Sequence, residues 1–404
     1  MKQSILLVLL CLLTNLVVAN SSTNSITISD SQVLTIESEQ VQEIINTTSL
    51  TPDGWETLGL GLDSKCYAIS ADNNGNVYAG GSFCFADNEL SLNVARWDGT
   101  EWLPVGPGLN STCRALTTDN NGNLYAVGNF TKAGNTMLNY IGMWNGNVWT
   151  NLGEGLNKVA RAIDVDQNGN VIVGGSFTRS GTTIINGIGM WNGTEWTQVG
   201  NGFNGSVYAV KANNGNIYAG GVFGMSGNTP LLNVAMWNGT EWTEMDGGLN
   251  GSCKAMDIDQ DGNLYITGGF TTAGAMVVNR VAKWDGTEWS NLGSGLNAYG
   301  SSLRIDGLGN VYVGGAFVVA GGVQASRIAK WDGVSWSNLD QGLNSLCQSI
   351  AIDSDNIVYA GGTYIDSGSI QTRYISKWDP SSNFQNPETG NDDEVVNTAG
   401  DDDY

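Results

Sequence analysis

Histidine is absent from all 404 residues. A Ser-His-Asp triad, imidazole acid–base catalysis and any copper or zinc site built on histidine are thereby removed. Carboxylates remain as candidates for chemistry. A glycosidase-type pair needs two acids roughly 5 to 10 Å apart in one pocket, and most of the thirty-nine Asp and Glu fall instead at repeated turn positions. Asp257-Ile258-Asp259-Gln260-Asp261-Gly262 matches the first half of an EF-hand loop, and Asp164 to Gly169 nearly does. The Glu required at the twelfth position is replaced by Gly268 and Gly175, so both runs read as turns and no metal or other cofactor is expected.

Binding chemistry is better represented. One column recurs at steps of 47 or 46 residues as Tyr67, Arg114, Arg161, Tyr208, Lys254, Ser301 and Gln348. It gathers three of only seventeen Lys and Arg, with two aromatics, in a chain of net charge −22. Such a surface disfavours nucleic acid and anionic lipid, while three clustered cations beside tyrosines suit an acidic peptide or acidic glycan. Cysteine is also periodic: Cys66, Cys113, Cys253 and Cys347 share a column with Ala160, Val207 and Gly300, and Cys84 begins a later loop. All five are disulfide candidates if the chain is exported, and the odd count leaves at least one thiol unpaired within the chain. Asn-x-Ser/Thr sequons at Asn46, Asn110, Asn129, Asn192, Asn204, Asn238 and Asn250 are glycosylation candidates in a host that uses them.

The elements that position these columns follow from the repeat itself. The second glycine of an "AGG"-like run returns as Gly81, Gly128, Gly175, Gly221, Gly268, Gly315 and Gly362, each followed two residues later by Phe or Tyr. Two tryptophan columns use all fourteen tryptophans: Trp97 to Trp378 in seven copies, and Trp102 to Trp336 in six. The seventh member of the second column is Trp55, which stands before the first full repeat. The reading is an all-β fold: a seven-bladed β-propeller of four-stranded antiparallel blades, closed by an N-terminal strand that completes the last blade. Residues present once per blade fill the space between blades, so the tryptophans are read as core and not as sugar platforms.

Within a unit, strands A ("CYAIS"), B ("NVYAGGSF"), C ("NVARW") and D ("EWLPVG") are joined by "DNNGN"-type and "WDGTEW"-type turns, where Asp caps backbone amides and Gly takes positive φ. The D-to-A connections and B-to-C loops then share one face. That face carries the non-repeated residues, and it places the Tyr67 column at the channel mouth and all five cysteines nearby.

The double glycine of Tyr78-Ala79-Gly80-Gly81 followed by "WDGTEW" and "LG.GL" resembles the kelch-type repeat, with Trp97 where that motif carries Tyr. The "D..GN.Y" half is similar to NHL-type propellers. The whole consensus resembles the propeller repeats of bacterial surface proteins and of the Rax2-like cortical polarity markers. The resemblance implies the propeller fold and an extracellular setting, and leaves function open because propellers host many activities.

The ends complete the reading. Residues 1–19 have the layout of a secretory signal peptide, 20–52 form a polar linker, 53–380 the propeller, and 381–404 an acidic tail expected to be disordered. No transmembrane segment is expected after signal cleavage. The function expected is a secreted or cell-surface propeller that binds or scaffolds a protein or glycan without catalysis. The alternative is a carbohydrate-active enzyme using carboxylates. Two or more consensus-breaking acids in a central pocket would favour the enzyme, and a channel lined by Ala, Ser and Gly would count against it.

Overall fold

The computed structural model describes residues 54–380. The readings of a signal peptide, a linker and an acidic tail, and the sequon at Asn46, fall on residues outside those described. Seven four-stranded antiparallel sheets form the blades. In the first blade, strand A is Cys66–Ala71, B is Val77–Gly81, C is Val94–Trp97 and D is Trp102–Pro104. Strand B is buried along its whole length in the first blade and in five of its six counterparts, as a strand covered on both faces must be. The last blade takes its outer strand from the start of the propeller: Trp55 pairs with Trp378 and Glu56 with Lys377. An ion pair of 2.8 Å joins the Lys377 and Glu56 side chains.

The second tryptophan column is core, as expected, and it also stitches blade to blade. Each indole N–H donates to a backbone carbonyl of the preceding blade: Trp102 to Leu58 at 2.8 Å, Trp149 to Val105 at 3.0 Å, and Trp196 to Leu152 at 2.8 Å. Trp242, Trp289 and Trp336 bond Val199, Met245 and Leu292 in the same way. Trp55 closes the series on Leu339 at 3.2 Å. A large buried ring thus satisfies its one donor across every interface.

The double glycine has two distinct jobs. The first glycine of the pair abuts the next blade: a Cβ on Gly80 would lie 2.7 Å from Cys113 Sγ, and one on Gly314 would lie 2.5 Å from Cys347 Sγ. Gly220 faces Cys253, Gly174 faces Val207, and Gly361 of the last blade faces Cys66 of the first. The two exceptions invert the sizes. Val127 packs in one cluster with Ala160, and Thr267 stands over Gly300. Every interface seats one side chain of moderate size, while the strand that supplies it varies.

These contacts correct the disulfide expectation for Cys66, Cys113, Cys253 and Cys347. All four are free, fully buried thiols. They begin the inner strands beneath the face, and each points at a neighbouring glycine instead of another sulfur. Burial pushes the thiols of Cys66, Cys253 and Cys347 up to about 12, so they stay protonated and inert. Cys84 does open its B-to-C loop, where its backbone N–H donates to Asp63 at 2.8 Å.

The B-to-C loops also hold elements that the repeat pattern did not reveal. Each contains a two-stranded hairpin, such as Lys132–Ala133 paired with Thr136–Met137. An Asn from the D-to-A connection ties the hairpin down: Asn110 Oδ1 accepts from the Thr131 and Lys132 N–H groups at 2.8 and 2.9 Å.

Deleting residues 53–61 should lower the melting temperature far more than deleting 385–404. The first removes Trp55, Leu58 and the ring-closing strand, and the second removes a segment of polar and acidic composition. Equal melting temperatures would refute closure by this strand. The interface predicts a coupling as well. Gly80→Ala should destabilise by about 1 to 3 kcal/mol through overpacking on Cys113, and by much less in a Cys113→Ala background, which has the small partner that Ala160 provides for Val127. Denaturant titration of the double-mutant cycle checks this, with additive effects as the refuting result.

Candidate binding site in the central channel

The second glycine explains how the Tyr67 column reaches the channel. In every blade the A-to-B ladder slips by one residue at the start of strand A: Cys66 pairs with Gly81, but Ala68 already pairs with Gly80. Tyr67 is the extra residue of a β-bulge, and so are Arg114, Arg161, Tyr208, Lys254, Ser301 and Gln348. Bulges re-aim a side chain out of the ladder. The bulged backbone presses on the strand opposite: a Cβ on Gly221 or Gly268 would collide with the carbonyl of Ser206 or Ser252. A glycine is required there in each blade for the bulge to exist.

The seven bulge residues meet as one ring, half-buried, around a basin of about 530 Å³ at the channel mouth. All five residues expected as a site, Tyr67, Arg114, Arg161, Tyr208 and Lys254, are in it, with Ser301 and Gln348 between. Tyr299, which the sequence did not single out, supplies a further wall: Lys254 Nζ sits 3.9 Å from its ring centroid. Arg161 lies over Tyr208 at 5.5 Å. Arg114 donates Nε–H to Asn129 Oδ1 at 2.6 Å. No carboxylate lies within ion-pair distance of the three cations among the described residues. Burial lowers the pKa of Arg114, helped by the positive charge of Arg161, and burial alone lowers that of Lys254. Two atoms of the ring, Arg161 Nε and Ser301 Oγ, are shielded from solvent and have no hydrogen-bond partner. Unpaired positive charge with open donors is what an anion would complete.

Deeper in the channel the walls are small, with Ala68, Ala115, Ala162, Ala209, Ala255, Ser302 and Ser349 forming a collar. Three residues beyond the bulge a second ring faces the opposite mouth: Ser70, Thr117, Asp164, Lys211, Asp257, Arg304 and Ala351. Sequence reasoning missed this ring as a site, although the column was present at the same spacing as the first. Lys211 Nζ pairs with Asp257 Oδ1 at 3.1 Å. Asp257 Oδ2 accepts the Ile305 N–H at 3.1 Å, and Asp164 Oδ2 accepts the Ala212 N–H at 2.8 Å. Although burial opposes ionisation of Asp257, Lys211 and Arg304 hold it below the usual carboxylate range. Asp164 and then Asp257 raise the pKa of Lys211.

The EF-hand-like run does not converge. Asp257 faces the channel, while Asp259 accepts the N–H groups of Asp261 and Asn263 and the Asn263 side-chain amide. Five other blades repeat that cap with Asp72, Asp119, Asp166, Asp306 and Asp353. Among the sequons, Asn110 and Asn250 spend their amide N–H on Thr131 and Thr271, at 3.1 and 2.8 Å. Asn129 accepts from Arg114, and Asn204 accepts from the Gly224 and Met225 N–H groups. Asn192 and Asn238 cap exposed C-to-D turns through their oxygens alone.

Comparison with known proteins agrees with this architecture. Residues 147–309, less than half of the chain, match the family model of the Rax2 C-terminal beta propeller domain. No curated protein matches the sequence. Among solved structures, the chain is similar to the WD40 beta propeller domain of Doa1, with 11% identity and a TM-score of 0.55 over 81% of this chain and 98% of that one. It is similar also to the extracellular domain of a putative one component system from B. thetaiotaomicron, with 13% identity and a TM-score of 0.55, covering 81% of this chain but only 40% of that one. Streptogramin B lyase matches with 14% identity and a TM-score of 0.52 over 80% of this chain and 97% of the enzyme. At these identities the likeness is one of fold.

If the Asp257 to Gly262 run is only a turn, calcium added to chelator-treated protein should leave the melting temperature unchanged. A saturable rise of several degrees would show a native-state site instead.

Proposed function

We propose that this chain is a binding or scaffolding propeller, secreted or displayed at the cell surface, which takes a carboxylate-bearing partner, an acidic peptide or acidic glycan, at the mouth formed by the bulge ring. The observation that carries this reading is the set of three unpaired cations, Arg114, Arg161 and Lys254, gathered with tyrosines in a chain of net charge −22. Nothing in the fold requires cations at the bulge position, since Ser301 and Gln348 fill it elsewhere. Arg binds carboxylates through two parallel hydrogen bonds, and the tyrosine walls offer stacking surface. Export accords with the leader-like first nineteen residues and with the extracellular domains among the structural neighbours.

The enzymatic alternative draws on Asp164 and Asp257, two acids that break the repeat consensus in the channel. Against it, Lys211 and Arg304 hold Asp257 ionised, which leaves it unprepared to deliver a proton, and Asp164 spends one oxygen on a backbone N–H. The Ala and Ser collar also leaves little wall to shape around a substrate.

Arg114→Ala combined with Arg161→Ala should weaken binding of an oligoglutamate probe by about 1 to 3 kcal/mol, the usual worth of hydrogen bonds to charged groups. Asp98→Ala, on the opposite face, should leave it unchanged. The reverse pattern in calorimetry would move the site to the other face, and turnover of a polysaccharide abolished by Asp164→Asn would establish the enzyme.

A further inference from the structure

The second channel ring is not explained by folding. At its position three blades place Ser70, Thr117 and Ala351, which line the channel without charge. The four consecutive blades between carry Asp164, Lys211, Asp257 and Arg304. Charge drawn out of water costs free energy unless paired, and small polar or apolar residues fill the same ring position at no such cost. Blade-to-blade bonds occupy Lys211, Asp257 and one oxygen of Asp164, and leave the rest of the string without a structural role.

Its pairing leaves two ends open. Lys211 and Asp257 satisfy each other at 3.1 Å in the middle. Asp164 commits one oxygen to the Ala212 N–H, and its other oxygen makes no hydrogen bond. Arg304 donates from one terminal nitrogen to the Leu303 carbonyl at 2.8 Å, and no carboxylate lies within ion-pair distance of its guanidinium. Asp164 and Arg304 belong to blades three steps apart in a ring of seven, the largest separation that such a ring allows. Asp164, which also acts on Lys211, and Arg304, which also acts on Asp257, thus flank a vestibule of about 370 Å³, each with hydrogen-bonding atoms unspent. Its remaining polar lining is Ser70, Asn73, Thr117, Thr118, Asp119 and Asn120, and it holds no aromatic platform.

We propose that this vestibule binds a small zwitterion of the α-amino acid class, its carboxylate on Arg304 and its ammonium on Asp164. A guanidinium offers the planar pair of donors that a carboxylate takes, and a carboxylate oxygen accepts directly from an ammonium. The ring itself sums to zero and Asp119 adds one further carboxylate to the vestibule wall, so a zwitterion finds a partner for each of its charges, while a plain anion meets Asp119, Asp164 and Asp257 and a plain cation meets Lys211 and Arg304. The lack of a flat aromatic wall disfavours a sugar. This site lies at the other end of the channel from the bulge ring, and it stands or falls independently of that ring.

The test is a thermal-shift and calorimetric titration of the full chain with glycine and a panel of natural amino acids, carried into the tens of millimolar. Ethylamine, acetate, an N-acetyl amino acid amide and monosaccharides serve as controls. A saturable rise in melting temperature is expected with at least one free amino acid and with none of the controls. Asp164→Asn and Arg304→Gln should each weaken that binding at least tenfold, while Arg114→Ala with Arg161→Ala leaves it unchanged. Circular dichroism confirms that the variants fold. Absence of any amino-acid response in the folded wild-type chain, equal binding of the blocked or singly charged controls, binding of sugars alone, or indifference to both variants would each overturn the proposal.

Discussion

The space between the inner strands of neighbouring blades is the constraint on which the rest of the structure depends. Interiors pack to the density of organic crystals, so one methyl group in excess is felt. Here the allowance is one side chain of moderate size per interface, and it is held by Cys113 over Gly80, by Val127 over Ala160, or by Thr267 over Gly300. Because the last interface, Gly361 with Cys66, joins the end of the propeller to its beginning, the same rule that spaces the blades also closes the ring. The indole bond from Trp102 to Leu58 crosses that closing interface, and the bond from Trp55 to Leu339 crosses the one before it.

Close approach of strands A and B makes the bulge, and the bulge makes the site. A ladder without the slip would direct residue 67 along its regular alternation, toward a neighbouring blade. With the slip, and with a glycine opposite to receive it, the side chain is freed from blade packing and turned to the channel. Two adjacent glycines therefore divide the work: the first sets how tightly blades meet, and the second sets where variation is tolerated. Binding chemistry can change at the bulge without disturbing the interface one residue away.

Much of this was legible before any coordinates. Period, copy number and the displaced Trp55 fixed the blade count and the closure, because each is a matter of counting along the chain. The Tyr67 column was legible as a channel-mouth ring, since strand direction alone decides which end of strand A faces which side. Cys66, Cys113, Cys253 and Cys347 were misread as disulfide candidates for a physical reason. Column identity shows that residues are equivalent, not what they touch, and the partner of Cys113 is a glycine that leaves no trace as a partner in sequence. The charged ring at Asp164, Lys211, Asp257 and Arg304 was overlooked because its acids were absorbed into EF-hand-like and turn patterns, although Asp257 and Asp259 face different ways. The B-to-C hairpins escaped because two-residue strands are too short to show alternation.

The electrostatics of the bulge ring act on two length scales. At long range the net charge of −22 repels an anionic partner, and that field is screened beyond a Debye length of about 8 Å at physiological ionic strength. At contact, Arg114, Arg161 and Lys254 attract it from within a half-buried basin, where screening is weaker. Salt therefore opposes itself: it relieves the distant repulsion that slows encounter while weakening the local attraction that holds the complex. The cations are thus better suited to selecting a partner than to capturing it from a distance. Under the proposed function, an anion presented on a neutral or weakly basic scaffold would meet little of the outer field and all of the inner one, so the outer acidity would filter partners by their surroundings before the ring met their carboxylates.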